Sequence, residues 1–244
     1  MWKLRAVFFS APAVIILTAG MAIVSLICSL WDRSGHAQHR LAQQWSRMLL
    51  AVCFVHCEVE GAEKLDPEVS YVVVANHASY MDIPVLYSAV PLPLRFFAKK
   101  GLFSIPLLGW HLVRAGHLPV MRGDARASLK SMSEGAKLIR ERNISVLLFP
   151  EGGRSETGIR PFKEGAAYIA IKAGVPIVPV GLVDMRNVLP MHSLLLRPAT
   201  VKVHVGDPID TSGMTRRDRE RLTEALQEKV AELAGELPVP ANVN

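Results

Sequence analysis

Tyr71-Val72-Val73-Val74-Ala75-Asn76-His77-Ala78-Ser79-Tyr80-Met81-Asp82 is the stretch on which the reading of this chain turns. Its first five residues form an apolar, largely β-branched run of strand length. The run then breaks into a polar turn that supplies an imidazole, His77, and a carboxylate, Asp82, five positions on. A neutral imidazole can take a proton from a hydroxyl. A carboxylate beside it can fix the ring tautomer and stabilise the imidazolium that forms. No serine or cysteine stands in a nucleophile-elbow pattern anywhere in the chain. The pair therefore suits a reaction whose nucleophile is a hydroxyl on the substrate. The plain alternative for the same residues is a helix start, with Asn76 and Asp82 as capping groups and a half-exposed His77.

The pattern of apolar run followed by polar turn recurs. Ile144-Ser145-Val146-Leu147-Leu148 leads into Phe149-Pro150-Glu151-Gly152-Gly153-Arg154-Ser155. Between the two turns lies Leu118-Pro119-Val120-Met121-Arg122, and after them comes Val175-Pro176-Ile177-Val178-Pro179-Val180. These four blocks, in this order, resemble the signatures of the glycerolipid acyltransferase family, best known through 1-acylglycerol-3-phosphate acyltransferases. The family pattern is an Asn-His-x4-Asp block, an apolar block ending in Arg, a Phe-Pro-Glu-Gly-Thr-Arg-Ser block and a Val-Pro-Ile-Val-Pro-Val block. The likeness covers roughly residues 70 to 206. One departure is Gly153, where the family more often has Thr. Glycine keeps the backbone close to a bound anion but removes a hydroxyl, which bears on substrate preference more than on the chemistry.

Working outward, strand-like runs at 69–75, 94–98, 117–121, 144–149, 176–183 and 200–206 alternate with helical patterns at 81–89, 124–142, 162–173 and 215–235. Such alternation predicts an α/β layered domain with a largely parallel central sheet. Sites in open α/β sheets form outside the carboxyl ends of the strands. The His77 and Glu151 turns are thus expected at one sheet edge.

The N-terminal part reads differently. Ala6 to Trp31 is a run of 26 residues without a charged side chain, longer than the ~20 that cross a hydrocarbon core. Lys3 and Arg5 precede it, and Asp32 and Arg33 follow it. A cleaved signal peptide has a similar start but a shorter apolar region, about 7–15 residues, so a retained membrane helix is expected. From Ala37 to Cys57 a second segment repeats Leu41, Trp45, Met48, Leu49 and Val52 at helical spacing, with Arg40, Gln44 and Arg47 between. That is the pattern of an amphipathic helix at an interface. The expected division is a membrane-associated helical pair over 1–57 and a catalytic domain over 58–244. Basic residues flank the first run on both sides, so charge bias does not set orientation. A bilayer-crossing helix and a hairpin within one leaflet both fit.

Composition agrees with contact with lipid. Of the 244 residues, 50% are hydrophobic, and the formal net charge is +6. The basic residues are dispersed among few aromatics, which suits anionic headgroups or a phosphate substrate rather than nucleic acid. Cys28, Cys53 and Cys57 lie in apolar runs, are odd in number and have no second ligand pair nearby, so neither a disulfide framework nor a zinc site is expected.

The resemblance implies acyl transfer from an acyl thioester, acyl-CoA or acyl carrier protein, to the free hydroxyl of lysophosphatidic acid, with no bound cofactor and no metal. It implies His77 as the base and Asp82 as its partner. It groups Asn76, Arg122, Glu151, Gly152, Gly153 and Arg154 at the glycerol-phosphate site, with Lys100 near the reacting carbonyl or the donor phosphates. Because those donors are cytosolic, the site is expected on the cytoplasmic face of a membrane, the inner membrane if the cell is bacterial. The same chemistry on another lysolipid, such as a lyso-ornithine lipid, stays open, as does an acyl thioesterase using water in place of the hydroxyl. A catalytically silent membrane-anchored binding protein is a third possibility, which the His77 and Asp82 pair argues against.

Overall fold

The computed structural model describes residues 2–32, 34–120, 124–193 and 195–238. Seven strands form one sheet among the described residues: β1 (Val55–Glu60), β2 (Val72–Ala75), β3 (Leu94–Lys99), β4 (Leu118–Val120), β5 (Ser145–Leu148), β6 (Ile177–Val183) and β7 (Ala199–Val205). The helices are α1 (Trp2–Cys28), α2 (His36–Val52), α3 (Asp82–Ala89), α4 (Leu108–Arg114), α5 (Ala125–Arg142), α6 (Gly165–Ala173), α7 (Met185–Val188) and α8 (Arg219–Ala234). Strand order is β1-β7-β6-β2-β5-β3-β4, and every neighbouring pair is parallel except β6 with β7. The fold is the layered α/β domain expected from the alternation. β2 through β6 all point one way, so their carboxyl ends share an edge.

Alternation along the central strands separates two cores. Val72 and Val74 pack with Val146 and Leu148 on the face covered by α5, α6 and α8. Val73 and Ala75 pack with Leu147, Val178 and Val180 on the face covered by α2 and α3. All four β2 residues are fully buried, which explains why the run is uniformly apolar instead of alternating with polar residues. Burial of a valine side chain contributes about 1.5–3 kcal/mol, so the strand that presents His77 is firmly held. At the start of α5, the Asp124 side chain accepts the Ala127 N–H at 2.9 Å, and left-handed Asn143 (φ 47°) ends the helix just before β5.

α1 lies against the domain. Trp45 Nε1 of α2 donates to Thr18 Oγ1 of α1 at 3.1 Å, and Ser10 Oγ donates to the Val52 carbonyl at 2.8 Å. The other side of α1 exposes Phe8, Ile15 and Ile16, at 76%, 68% and 72%. Among the described residues α1 is the one helix long and apolar enough to cross a membrane. Its Ala6–Ser10 turn is widened to a π-helix just before Pro12, whose ring removes one helical N–H.

Several elements depart from the sequence reading. The helix expected over 37–57 stops at Val52, and Phe54 turns the chain through a positive φ of 58° into β1. β1 therefore runs across the boundary drawn at residue 57. It pairs with β7 alone and is mostly solvent-facing, so it lacks the apolar run by which the other strands are recognised. α4 is short and follows a turn with Leu107 at φ 63°, and no helical pattern marked it.

Candidate active site

β2 ends at Ala75, and the next residue fixes the exit of the loop. Asn76 Nδ2 donates to the Leu182 carbonyl at 2.9 Å, while its Oδ1 accepts the Leu182 N–H at 2.7 Å. Both ends of the buried amide are thus taken by β6. The Asn76 side chain is a strut between two strands.

His77 comes next, and its ring is fixed at its edge by Asp82 and on its face by Phe149. Nδ1 lies 2.6 Å from Asp82 Oδ2. The same oxygen accepts the N–H groups of Ala78 at 2.8 Å and Ser79 at 3.0 Å. An oxygen receiving two amide donors is an acceptor, so Nδ1 carries the imidazole hydrogen and Nε2 carries the lone pair. The ring stacks on Phe149, with centroids 4.1 Å apart and planes 15° apart. Asp82, the first residue of α3, is fully buried. The loop closes so tightly because Ser79 Oγ accepts the Met81 N–H at 3.2 Å and donates to the Leu189 carbonyl at 3.2 Å.

The loop after β5 is tied to this one. Glu151 Oε1 accepts the His77 N–H at 2.6 Å, and Oε2 accepts the Arg160 N–H at 2.9 Å. The Ser155 N–H returns a bond to the His77 carbonyl at 3.0 Å. Glu151 is buried, and burial pushes its pKa up to about 7 against the pull of its two amide donors. Each carboxylate oxygen accepts one main-chain N–H, so Glu151 braces the two loops.

Gly152 adopts φ 72°, and a Cβ there would come within 2.9 Å of Lys163 Nζ. Gly152 lets the turn pass close under that amine, and Gly153 follows it, buried. Arg154 reaches back over the first loop, with its guanidinium carbon 3.6 Å from the Tyr80 ring centroid. Lys100 is exposed on the 3-10 turn Lys100–Ser104, at the same sheet edge, two strands from β2. Arg122 lies outside the described residues.

Several participants escaped the sequence reading. Tyr80 and Phe149 sit inside the quoted blocks, and aromatic residues beside His77 and Arg154 were the available signal. Arg186 carried no signal. It donates to the carbonyls of Ser155 and Gly158, both at 3.1 Å, and pairs with Glu236, so it anchors the second loop from below. A cavity of about 630 Å³ is lined by residues of α1, α2, α3, α4 and the sheet, among them Thr18, Trp45, Tyr80, Ile83 and Phe96. No group of three His, Cys, Asp or Glu among the described residues is placed to hold a metal ion. Cys53 is buried and its thiol is pushed up to about 11 by desolvation.

Three comparisons bear on this site. Residues 56–183 match the family model described as Acyltransferase, a span holding all of the loop residues above except Arg186, Leu189 and Glu236. The chain is 33% identical over 206 residues to the 1-acyl-sn-glycerol-3-phosphate acyltransferase BAT2, chloroplastic, of Brassica napus, covering 79% of this chain and 59% of that protein. It is 32% identical over 236 residues to a 1-acyl-sn-glycerol-3-phosphate acyltransferase of Chlamydomonas reinhardtii, covering 94% and 69%. The chain spans little more than half the length of the first curated relatives it matches, 59% and 53%. Its fold is shared with the crystal structure of the 1-acyl-sn-glycerophosphate acyltransferase PlsC of Thermotoga maritima, at a TM-score of 0.79 and 24% identity over 97% of this chain and 99% of that one. By the family model and by these relatives, the chain belongs to the acyltransferase family.

Proposed function

We propose that this protein transfers an acyl group from an acyl thioester to the free hydroxyl of 1-acyl-sn-glycerol-3-phosphate, giving phosphatidic acid. The observation that carries the reading is the buried His77–Asp82 pair, with Nε2 left as the basic nitrogen. His77 Nε2 takes the hydroxyl proton as the hydroxyl oxygen bonds to the thioester carbonyl carbon. The tetrahedral adduct then expels the thiolate, which receives the proton from the imidazolium. Asp82 holds the ring and its charge throughout. General-base help of this kind contributes about 10²–10⁴-fold. The thioester is already activated, so no acyl-enzyme is needed and no resident cofactor is required.

Arg154 and Arg122 are the seat for the phosphate monoester, since guanidinium forks match phosphate oxygens. Tyr80 holds the Arg154 guanidinium by its face, which keeps the N–H rim as its donor surface. Gly152 and Gly153 admit the anion close to the backbone, and Lys163 adds charge over that turn. Lys100 serves the donor side, toward the carbonyl oxygen or the donor phosphates. The 630 Å³ cavity receives an acyl chain, a size within the range of lipid-sized ligands. Residues 1–57 anchor the protein: α1 turns apolar residues outward while its inner side closes the cavity, so chain and membrane meet at one helix. Acyl-CoA or acyl carrier protein is the donor, and the site faces the cytoplasm. The printed names of the relatives support the acceptor.

The test is acylation by the purified protein in detergent with labelled oleoyl-CoA and a panel of lysolipids. Product from lysophosphatidic acid alone is the expected result. Equal transfer to acceptors lacking the phosphate, lyso-ornithine lipid among them, would move the substrate and keep the chemistry. Release of free fatty acid without any acceptor would replace the reading by a thioesterase.

A further inference from the structure

The cavity lined by Tyr80 is not apolar throughout. Its lining includes Ser25 of α1, His111 of α4 and His117 just before β4. Ser25 Oγ lies 2.7 Å from His111 Nδ1. His117 is only 7% exposed, its ring lies on Phe96 with centroids 3.9 Å apart, and its Nδ1 accepts the Phe96 N–H at 3.2 Å. Burial, reinforced by the Arg95 guanidinium, holds both histidines below the usual range and His117 furthest, so both rings are neutral. A neutral imidazole whose Nδ1 accepts carries its hydrogen on Nε2. Among the described residues no acceptor meets that His117 Nε2–H, and no partner meets His111 Nε2. His111 Nδ1 is taken by Ser25 Oγ, which leaves His111 Nε2 a donor or an acceptor according to the ring's tautomer. A largely apolar cavity is thus lined at one place by a donor, His117 Nε2–H, and by a second polar ring, His111, 6.1 Å from it.

A donor whose water is displaced by a bound hydrocarbon chain costs about 1–3 kcal/mol, because the chain offers it nothing. A hydroxyl accepts from His117 Nε2–H and turns its own hydrogen or its remaining lone pair to the His111–Ser25 pair, whichever tautomer that pair holds. We propose that Ser25, His111 and His117 form a polar subsite that selects acyl chains bearing a hydroxyl part-way along their length over unsubstituted chains of the same length. The subsite is deep. The β3–β4 register sets Leu118 beside Phe97 and Val120 beside Lys99, so His117 lies level with Phe96, three residues below the catalytic edge, or about 10 Å at ~3.3 Å per residue. The favoured hydroxyl is therefore well removed from the thioester carbon. This inference rests on the acyl-chain reading of the cavity.

The test offers the purified full chain lysophosphatidic acid with acyl-CoA donors of one length, the hydroxyl moved from carbon to carbon, beside the unsubstituted donor. kcat/KM should peak at one or two adjacent positions, roughly fivefold above the unsubstituted donor, as one net hydrogen bond provides. His117→Phe and, independently, Ser25→Ala should flatten the peak, with thermal unfolding checking that each variant is folded. A series without a maximum in the wild type, as a trapped water in place of a chain hydroxyl would give, overturns the proposal. So does a maximum that survives both substitutions. Failure to transfer any donor at all would count against the acyltransferase reading instead. In that case displacement of a fluorescent fatty acid by the matching free hydroxy fatty acids reads the cavity without turnover, and a flat series there overturns the subsite while a position-dependent maximum supports it.

Discussion

The loops after β2 and β5 each contribute one buried carboxylate, and the two are used in opposite ways. Asp82 folds back on its own loop, to His77 Nδ1 and the amides of Ala78 and Ser79. Glu151 crosses to the other loop and holds the His77 main chain, with its second oxygen on Arg160. One carboxylate sets the orientation of an imidazole. The other sets where that imidazole's backbone stands. Hydrogen-bond partners, rather than residue type, set the two acids apart: one holds a ring, the other a main chain.

Asp82→Asn breaks the comparison on the side of chemistry. It keeps the shape but offers His77 an amide in place of an acceptor, and kcat should fall by about 10²-fold or more, while the Michaelis constants change little. Steady-state kinetics on both substrates checks this. Arg154→Ala acts on the second loop's substrate side: the Michaelis constant for the lysolipid should rise about tenfold, as loss of one charge-assisted contact of about 1.5–3 kcal/mol implies, with little change for the acyl donor.

Smaller effects sharpen the structural side. Glu151 has a folded-state pKa raised from 4.5 to about 7. The folded protein therefore binds more protons than the unfolded chain between those values, and this group lowers stability as pH rises from about 4.5 to about 7. Glu151→Gln should remove that slope while costing about 1–3 kcal/mol at low pH, because one amide donor loses its acceptor. Thermal unfolding across that pH window distinguishes the two curves. A wild type whose stability climbs through the same window would contradict the assignment. Gly152→Ala should cost about 1–2 kcal/mol from its positive φ and the approach of Lys163, measurable as a lowered Tm.

The sequence made the central strands and the His77–Asp82 pair legible for physical reasons. β2 and β5 are buried on both faces, so each is a run of apolar residues, interrupted only by Ser145, that ends in a polar turn, and the His77–Asp82 contact spans only five positions. β1 was hidden because an edge strand facing solvent needs no such run. The structural roles of Asn76 and Glu151 were hidden because their partners, Leu182 and His77, lie 106 and 74 positions away, and nothing local distinguishes a strut from a ligand. The cavity was illegible for the same reason, being assembled from α1, α2, α3 and the segments around β3 and β4.

The most direct test is the initial rate of phosphatidic acid formation by His77→Ala against the wild type, at equal concentrations of folded protein with saturating acyl-CoA and lysophosphatidic acid. A fall of about 10²–10⁴-fold, with the melting temperature nearly kept, is the expected result. A folded variant retaining the wild-type rate would contradict His77 as the base on which the chemistry rests.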